Sequence, residues 1–283
     1  WNQMLGRIAV EGGKEEDRTK FYTGLYHALL GRGLASDQNG AYVKNDGSIG
    51  QIPLKEDGSP TYHHYNTDAV WGAFWNLTQL WGLVYPDYLN QFVNCQLDVF
   101  EETGWLADGI ATSKYVSGVG TNFMGQVIVS AYNRGIREYD VEQAYRAVRR
   151  NELGGPMYKP FGVGKFDVPA FVAHGYVPFV ESDAYYSGTL STGSKFSASH
   201  TLEYSFSAYA AAQMAKSLGE ESDYDQLMEL STGWKELFDK ETGFIRPKDS
   251  QGKFLENFDP NEGWRGFQEG NAYQYTFYVP HDP

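Results

Sequence analysis

The chain has 283 residues, enough for one large domain or two small ones, and a net charge of −13 that argues against nucleic acid or an anionic membrane as partner. Its single cysteine, Cys95, excludes an internal disulfide and a cysteine-based metal cluster, and no apolar run is long enough to span a membrane. Aromatic residues make up 16% of the chain, with 21 Tyr and 7 Trp, an excess that suits stacking on sugar rings, whose faces are apolar and whose rims are polar.

In chain order, Trp1 to Val10 reads as the end of one helix, broken by Glu11-Gly12-Gly13. Lys14 to Leu30 reads as a second helix, with Phe21, Leu25, Ala28 and Leu29 at helical spacing. Ser36 to Tyr42 is a loop in which Asn39-Gly40 is ordinary turn chemistry. Gly47 to Tyr62 is rich in Gly and Pro and reads as a small hairpin or loop. Thr67 or Asp68 can cap a helix running to about Val84, and Pro86 to Glu102 forms the next. Trp71, Trp105 and Asp108 fall at a helix start or just past a helix end, where binding groups tend to be placed. Packing of both tryptophans in the core is the competing reading.

Asn122 to Gly135 and a segment capped by Asp140, running to about Asn151, add two helices. From Gly154 to Ser199 the chain has little periodicity, and a loop of that length in a compact domain is usually functional. Ser199 to Leu218 reads as a strong helix stopped by Gly219. Asp223 caps another, through Phe238, whose buried face is Tyr224, Leu227, Leu230, Trp234 and Leu237. After a loop from Phe244 to Pro260 comes Phe267 to Pro283, dense in polar groups (Glu269, Asn271, Gln274, His281, Asp282) and in flat rings. Glu269 and Tyr273 stand four apart, as do Asn271 and Tyr275, so each pair shares a face if this stretch is helical. The stretch suits a grip on a polyhydroxyl ligand or a hard cation; the plainer alternative is a buried aromatic helix with a capping Asn. About eight helices joined by alternately short and long loops predict paired helices stacked into a toroid, with the long loops gathered at one end to build a site.

Several motifs, in order from end to end, carry a resemblance. They are Phe21-Tyr22-Thr23-Gly24-Leu25-Tyr26-His27; Ser36-Asp37 with Gly40 and Tyr42; Gly104-Trp105-Leu106; and Ala131-Tyr132 with Gly135-Ile136. Gly175-Tyr176-Val177-Pro178 and Thr201-Leu202-Glu203-Tyr204 follow, then Glu269-Gly270-Asn271-Ala272 with Gln274-Tyr275, and Val279-Pro280-His281-Asp282. The chain resembles the catalytic domain of glycoside hydrolase family 92, the calcium-dependent exo-acting α-mannosidases. The resemblance implies an all-α (α/α)6 toroid, incomplete here. Residues 1–283 would be a single catalytic domain that lacks the family's N-terminal β-sandwich and its C-terminal portion. A chain that opens on Trp1 and closes on Pro283, with no signal peptide read, is expected to be a piece of a longer protein.

The implied activity is inverting hydrolysis of terminal α-linked mannose from glycans. Inversion needs a protonated carboxyl on the leaving oxygen and a carboxylate that activates water on the far face. The matching acid is Glu203, near a helix start among Leu202, Tyr204 and Phe206; on the residues alone it reads equally as a first-turn Glu favoured by the helix dipole. The matching oxygen donors for Ca2+ are Glu269, Asn271 and Gln274. Asp68, Trp71, Trp105 and Asp108 are candidate sugar contacts, and His281 and Asp282 are expected to shape the same rim. The resemblance also suggests a periplasmic, cell-surface or secreted bacterial protein acting on a mannose-containing glycan.

Three departures bear on this. The family's Trp-Asp-Thr is here Trp71-Gly72-Ala73, with Asp68 one turn earlier as a substitute. Position 205 is Ser in a region where the family tends to carry small and acidic residues. The family's general base lies downstream of Val-Pro-His-Asp, so none carries over to this chain. Two further readings therefore stay open: a non-catalytic glycan-binding relative, and a toroid glycosidase acting on other sugars.

Overall fold

The computed structural model describes residues 1–30, 33–67, 70–111, 114–116, 120–154, 163–181 and 192–283. The expected sugar contact Asp68 lies outside the described residues. Within them the protein is mostly helical, with three two-stranded antiparallel hairpins.

A short helix α1 (Asn2–Leu5) leads into α2 (Glu15–Leu30), whose three first-turn acids suit the positive end of the helix dipole. The hairpin β1 (Ala41–Val43)–β2 (Ile49–Gln51) pairs Tyr42 with Gly50. A cap at Thr67 does not form: its hydroxyl instead accepts the Ile110 N–H, and a 3-10 turn (Val70–Trp75) precedes α3 (Leu77–Val84). Pro86 opens α4 (Pro86–Thr103), and Gly104 closes it at φ 77, the left-handed backbone that glycine adopts without penalty. The hairpin β3 (Gly109–Ala111)–β4 (Lys114–Val116) leads to α5 (Phe123–Asn133). Asp140 caps α6 (Val141–Leu153), accepting the Gln143 N–H at 2.8 Å.

The aperiodic stretch after Gly154 contains a helix, α7 (Val168–His174), too short to register as a period. Then comes α8 (Ser197–Leu218), the longest element. The single helix expected through Phe238 is two, α9 (Glu221–Leu230) and α10 (Trp234–Leu237), separated at Ser231–Gly233. Asp223 sits inside the first turn of α9 rather than capping it, because its carboxylate accepts from Arg149 and Tyr145 on α6. A last hairpin, β5 (Phe238–Asp239)–β6 (Phe244–Ile245), and one turn of helix, α11 (Ala272–Tyr275), complete the chain. Phe267–Pro283 is thus mainly loop.

The core forms where α8 packs against α5, α6 and α9 and where α4 packs against α3, α5 and α6. It is filled by fully buried rings such as Trp81, Tyr85, Phe92 and Tyr204. On α4, Cys95 is fully buried; its sulfur accepts the Tyr65 N–H and lies 3.3 Å from His64 Nδ1. Burial pushes the Cys95 thiol up and pulls His64 down to about 4. A smaller apolar cluster (Ala198, Leu202, Leu237, Ile245, Phe267, Ala272) joins the start of α8 to the C-terminal loops. That joint places the candidate site.

Candidate active site at the start of α8

The first turn of α8 grips the loop that precedes α11. The Ala198 and Ser199 N–H groups donate to the Gly266 carbonyl at 2.9 and 3.2 Å, and the Gln268 N–H donates to Ser199 Oγ at 3.0 Å. These are orphan donors of a helix start, satisfied by a neighbouring loop. The grip brings Glu203, in the second turn of α8, and Glu269 onto one small hollow. Its lining is Trp71, Gly120, Thr121, Phe123, Ser199, His200, Glu203, Gln268, Glu269 and Tyr275.

Burial pushes the Glu203 carboxyl up to about 8, so it carries a proton at neutral pH. Tyr278 Oη donates to its Oε2 at 2.9 Å and holds it back from rising further; the charge of Asp108 raises it and that of Lys165 lowers it. Behind the hollow, Asp108 and Lys165 form a buried ion pair, each 2% exposed or less. Beside it, Asp167 accepts from Tyr204 Oη at 2.7 Å and stands 2.6 Å from His200 Nδ1. A carboxyl held protonated at the wall of a ring-lined hollow can deliver a proton to a bound oxygen, which is the task of a general acid.

Of the expected site residues, Trp71, Glu203 and Glu269 share this lining. Asp108 is buried beneath it in the pair with Lys165, so it acts on Glu203 through charge. Trp105 stands elsewhere, half-buried under the Arg150 guanidinium at 4.5 Å. His281 stacks on Phe206 and donates from Nε2 to the Ser231 carbonyl at 2.8 Å. Asp282 pairs with Lys235 at 2.9 Å on the surface.

Asn271 and Gln274 form a capping box. Asn271 Oδ1 accepts the Gln274 N–H at 3.3 Å, and Gln274 Oε1 accepts the Asn271 N–H at 3.1 Å. Calcium takes six to eight oxygens. Of the trio expected to hold it, only Glu269 lines the hollow, and the amide oxygens of the other two close the turn of α11. Among the described residues no three His, Cys, Asp or Glu side chains are grouped to hold a metal ion.

The lining residues His200, Gln268 and Tyr275, with Tyr278, were not foreseen as site residues. His200 could have been found: it lies three before Glu203, hence on the same helix face. Lys165 and Asp167, in a stretch without periodicity, carry no such signal.

Over residues 1–283 the chain matches the profile of the glycosyl hydrolase family 92 catalytic domain. It belongs to that family. An uncharacterized secreted glycosidase from Arthroderma benhamiae is 30% identical over all of this chain, which spans 34% of that protein. The structure superposes on a family 92 inverting mannosidase from Bacteroides thetaiotaomicron with a TM-score of 0.83 and 26% identity, covering 100% of this chain and 36% of that one. A family 92 α-mannosidase of the same organism, in complex with mannoimidazole, gives 0.84 and 25%, covering 99% and 34%. The chain therefore spans about a third of the length of these relatives.

Proposed function

We propose that this chain carries the proton-donating half of a family 92 α-mannosidase site, and that the whole protein releases terminal α-linked mannose from glycans with inversion. The observation that carries the reading is the Glu203 carboxyl at the hollow, with burial pushing it up to about 8. The mannosidase activity of the similar structures supports the substrate class, and the secreted relative supports an extracytoplasmic setting. The helices would then be part of an (α/α)6 toroid.

In this reading Glu203 gives its proton to the leaving glycosidic oxygen. The carboxylate left behind is stabilised by the Tyr278 hydroxyl at 2.9 Å and by the nearby Lys165 charge. Trp71 and Tyr275 line the hollow and are the rings proposed to stack on the apolar side of the sugar. A second carboxylate must activate water from the opposite face; no residue of this chain is assigned to it. A calcium requirement is proposed on the family resemblance alone. Only Glu269 of the expected trio faces the hollow, so no step is routed through the ion.

The test is hydrolysis of aryl α-mannosides and α-linked mannobioses by the whole protein, with and without EDTA, following the anomer first released by NMR. Glu203→Gln is expected to lower kcat by about 10²- to 10⁴-fold, the usual contribution of a general acid. Activity that survives Glu203→Gln refutes the assignment. Saturable mannose binding by calorimetry, without turnover, would instead establish a glycan-binding relative.

A further inference from the structure

We propose that Asp167, His200 and Gln268 form a positioning relay that seats Glu269 at the lip of the hollow and so sets how tightly the sugar is held. The proposal rests on reading the hollow as the sugar pocket. All three residues are buried, at 0%, 1% and 8% exposure. His200 Nδ1 faces Asp167 Oδ2 at 2.6 Å, and His200 Nε2 faces Gln268 Oε1 at 3.1 Å. That amide oxygen also accepts the Gly120 N–H at 3.3 Å, which fixes the orientation of the amide.

The backbone of Gln268 is tied as well. Its N–H donates to Ser199 Oγ at 3.0 Å, and its carbonyl accepts from Tyr275 Oη at 2.9 Å. The next residue, Glu269, has φ 53, a left-handed backbone that a residue with a side chain adopts only when its surroundings over-determine it. The relay supplies that constraint on one side and the Asn271–Gln274 capping box on the other. Gly120 completes the clamp: a Cβ there would stand 2.0 Å from His200 Cδ2, so the Gly120 backbone lies directly on the imidazole. Four separate segments are thereby locked at the mouth of one cavity, beside Glu203 but without a hydrogen bond to it.

The relay acts on binding rather than on proton delivery. For the whole protein on an aryl α-mannoside, Gln268→Ala is expected to raise KM by about 10- to 100-fold, the usual effect of losing a supporting partner, with kcat nearly unchanged. Gln268→Glu keeps an acceptor for both donors and is expected to restore KM; a general loss of packing would not be rescued so selectively. Gly120→Ala, which displaces the imidazole, should reproduce the KM effect. An unchanged KM in Gln268→Ala, or a failure of Gln268→Glu to restore it, overturns the relay. Hydrogen exchange at the Gly120 and Gln268 amides, which donate to Gln268 Oε1 and Ser199 Oγ, reads the clamp independently of turnover. If the wild-type protein hydrolyses no mannoside, yet Gln268→Ala accelerates that exchange and Gln268→Glu slows it again, the activity reading alone fails. Unchanged exchange overturns the relay in either case.

Discussion

Replacing Glu203 by Gln is expected to disarm the site and, as pH rises, to stabilise the fold. Burial holds the proton on Glu203 until about 8, whereas in the unfolded chain the same group ionises near its ordinary 4.5. Between those values the folded state binds the proton and the unfolded state does not, so stability falls as pH rises, by about 1.36 kcal/mol per unit. From 4.5 to 7 that amounts to about 3 kcal/mol; the side chain is partly exposed, and solvent screening brings the expected figure to about 2 kcal/mol. Gln has the same shape, still accepts the Tyr278 hydroxyl and carries no charge, so it escapes the loss. The assay is urea unfolding of both proteins from pH 4.5 to 8, compared at equal m-value. The advantage of Glu203→Gln over wild type should grow by about 2 kcal/mol between pH 4.5 and 7. Two stability curves that stay parallel across that range would refute the claim that burial keeps this carboxyl protonated.

Tyr278→Phe removes the hydrogen bond that restrains Glu203, so its pKa should climb further and the alkaline limb of the kcat/KM profile should move up by about one pH unit; no shift, or a shift downward, counts against the acid role. Glu152, buried on α6 with Ser207 Oγ donating to it at 2.8 Å, is also pushed up to about 8 by burial. By the same sign, Glu152→Gln should gain stability above pH 5 and keep its turnover, as paired urea and activity measurements would register. Asp108→Asn removes an ion-pair partner of buried Lys165 and should lower the unfolding free energy by about 3–5 kcal/mol; a change below about 1 kcal/mol in urea unfolding would refute a stabilising role for the pair.

The long helices were legible because period and punctuation agree. Pro86 and Gly104 bracket α4, Gly219 stops α8 and Asp140 caps α6. Where a side chain found a partner distant in sequence, local signals misled. Asp223 looks like a cap but serves Arg149 and Tyr145 on α6, and Thr67 serves Ile110. The site was partly legible for the same reason. Glu203 and Glu269 came from motif order, and the structure brings them to one hollow across 65 intervening positions. Asp108 carries the right chemistry for a sugar contact, but its burial with Lys165 is set by a residue in a stretch without pattern. Asn271 reads in the sequence both as a cation ligand and as a helix cap; its side chain caps α11.

The buried thiol of α4 offers a clock for opening. Cys95 is the chain's one cysteine and is fully enclosed between His64 and Tyr65. A maleimide or disulfide reagent therefore has a single target, reachable only when the packing of α4 against its neighbours gives way. The rate of labelling would time that event in native buffer, with no mutation and no added dye.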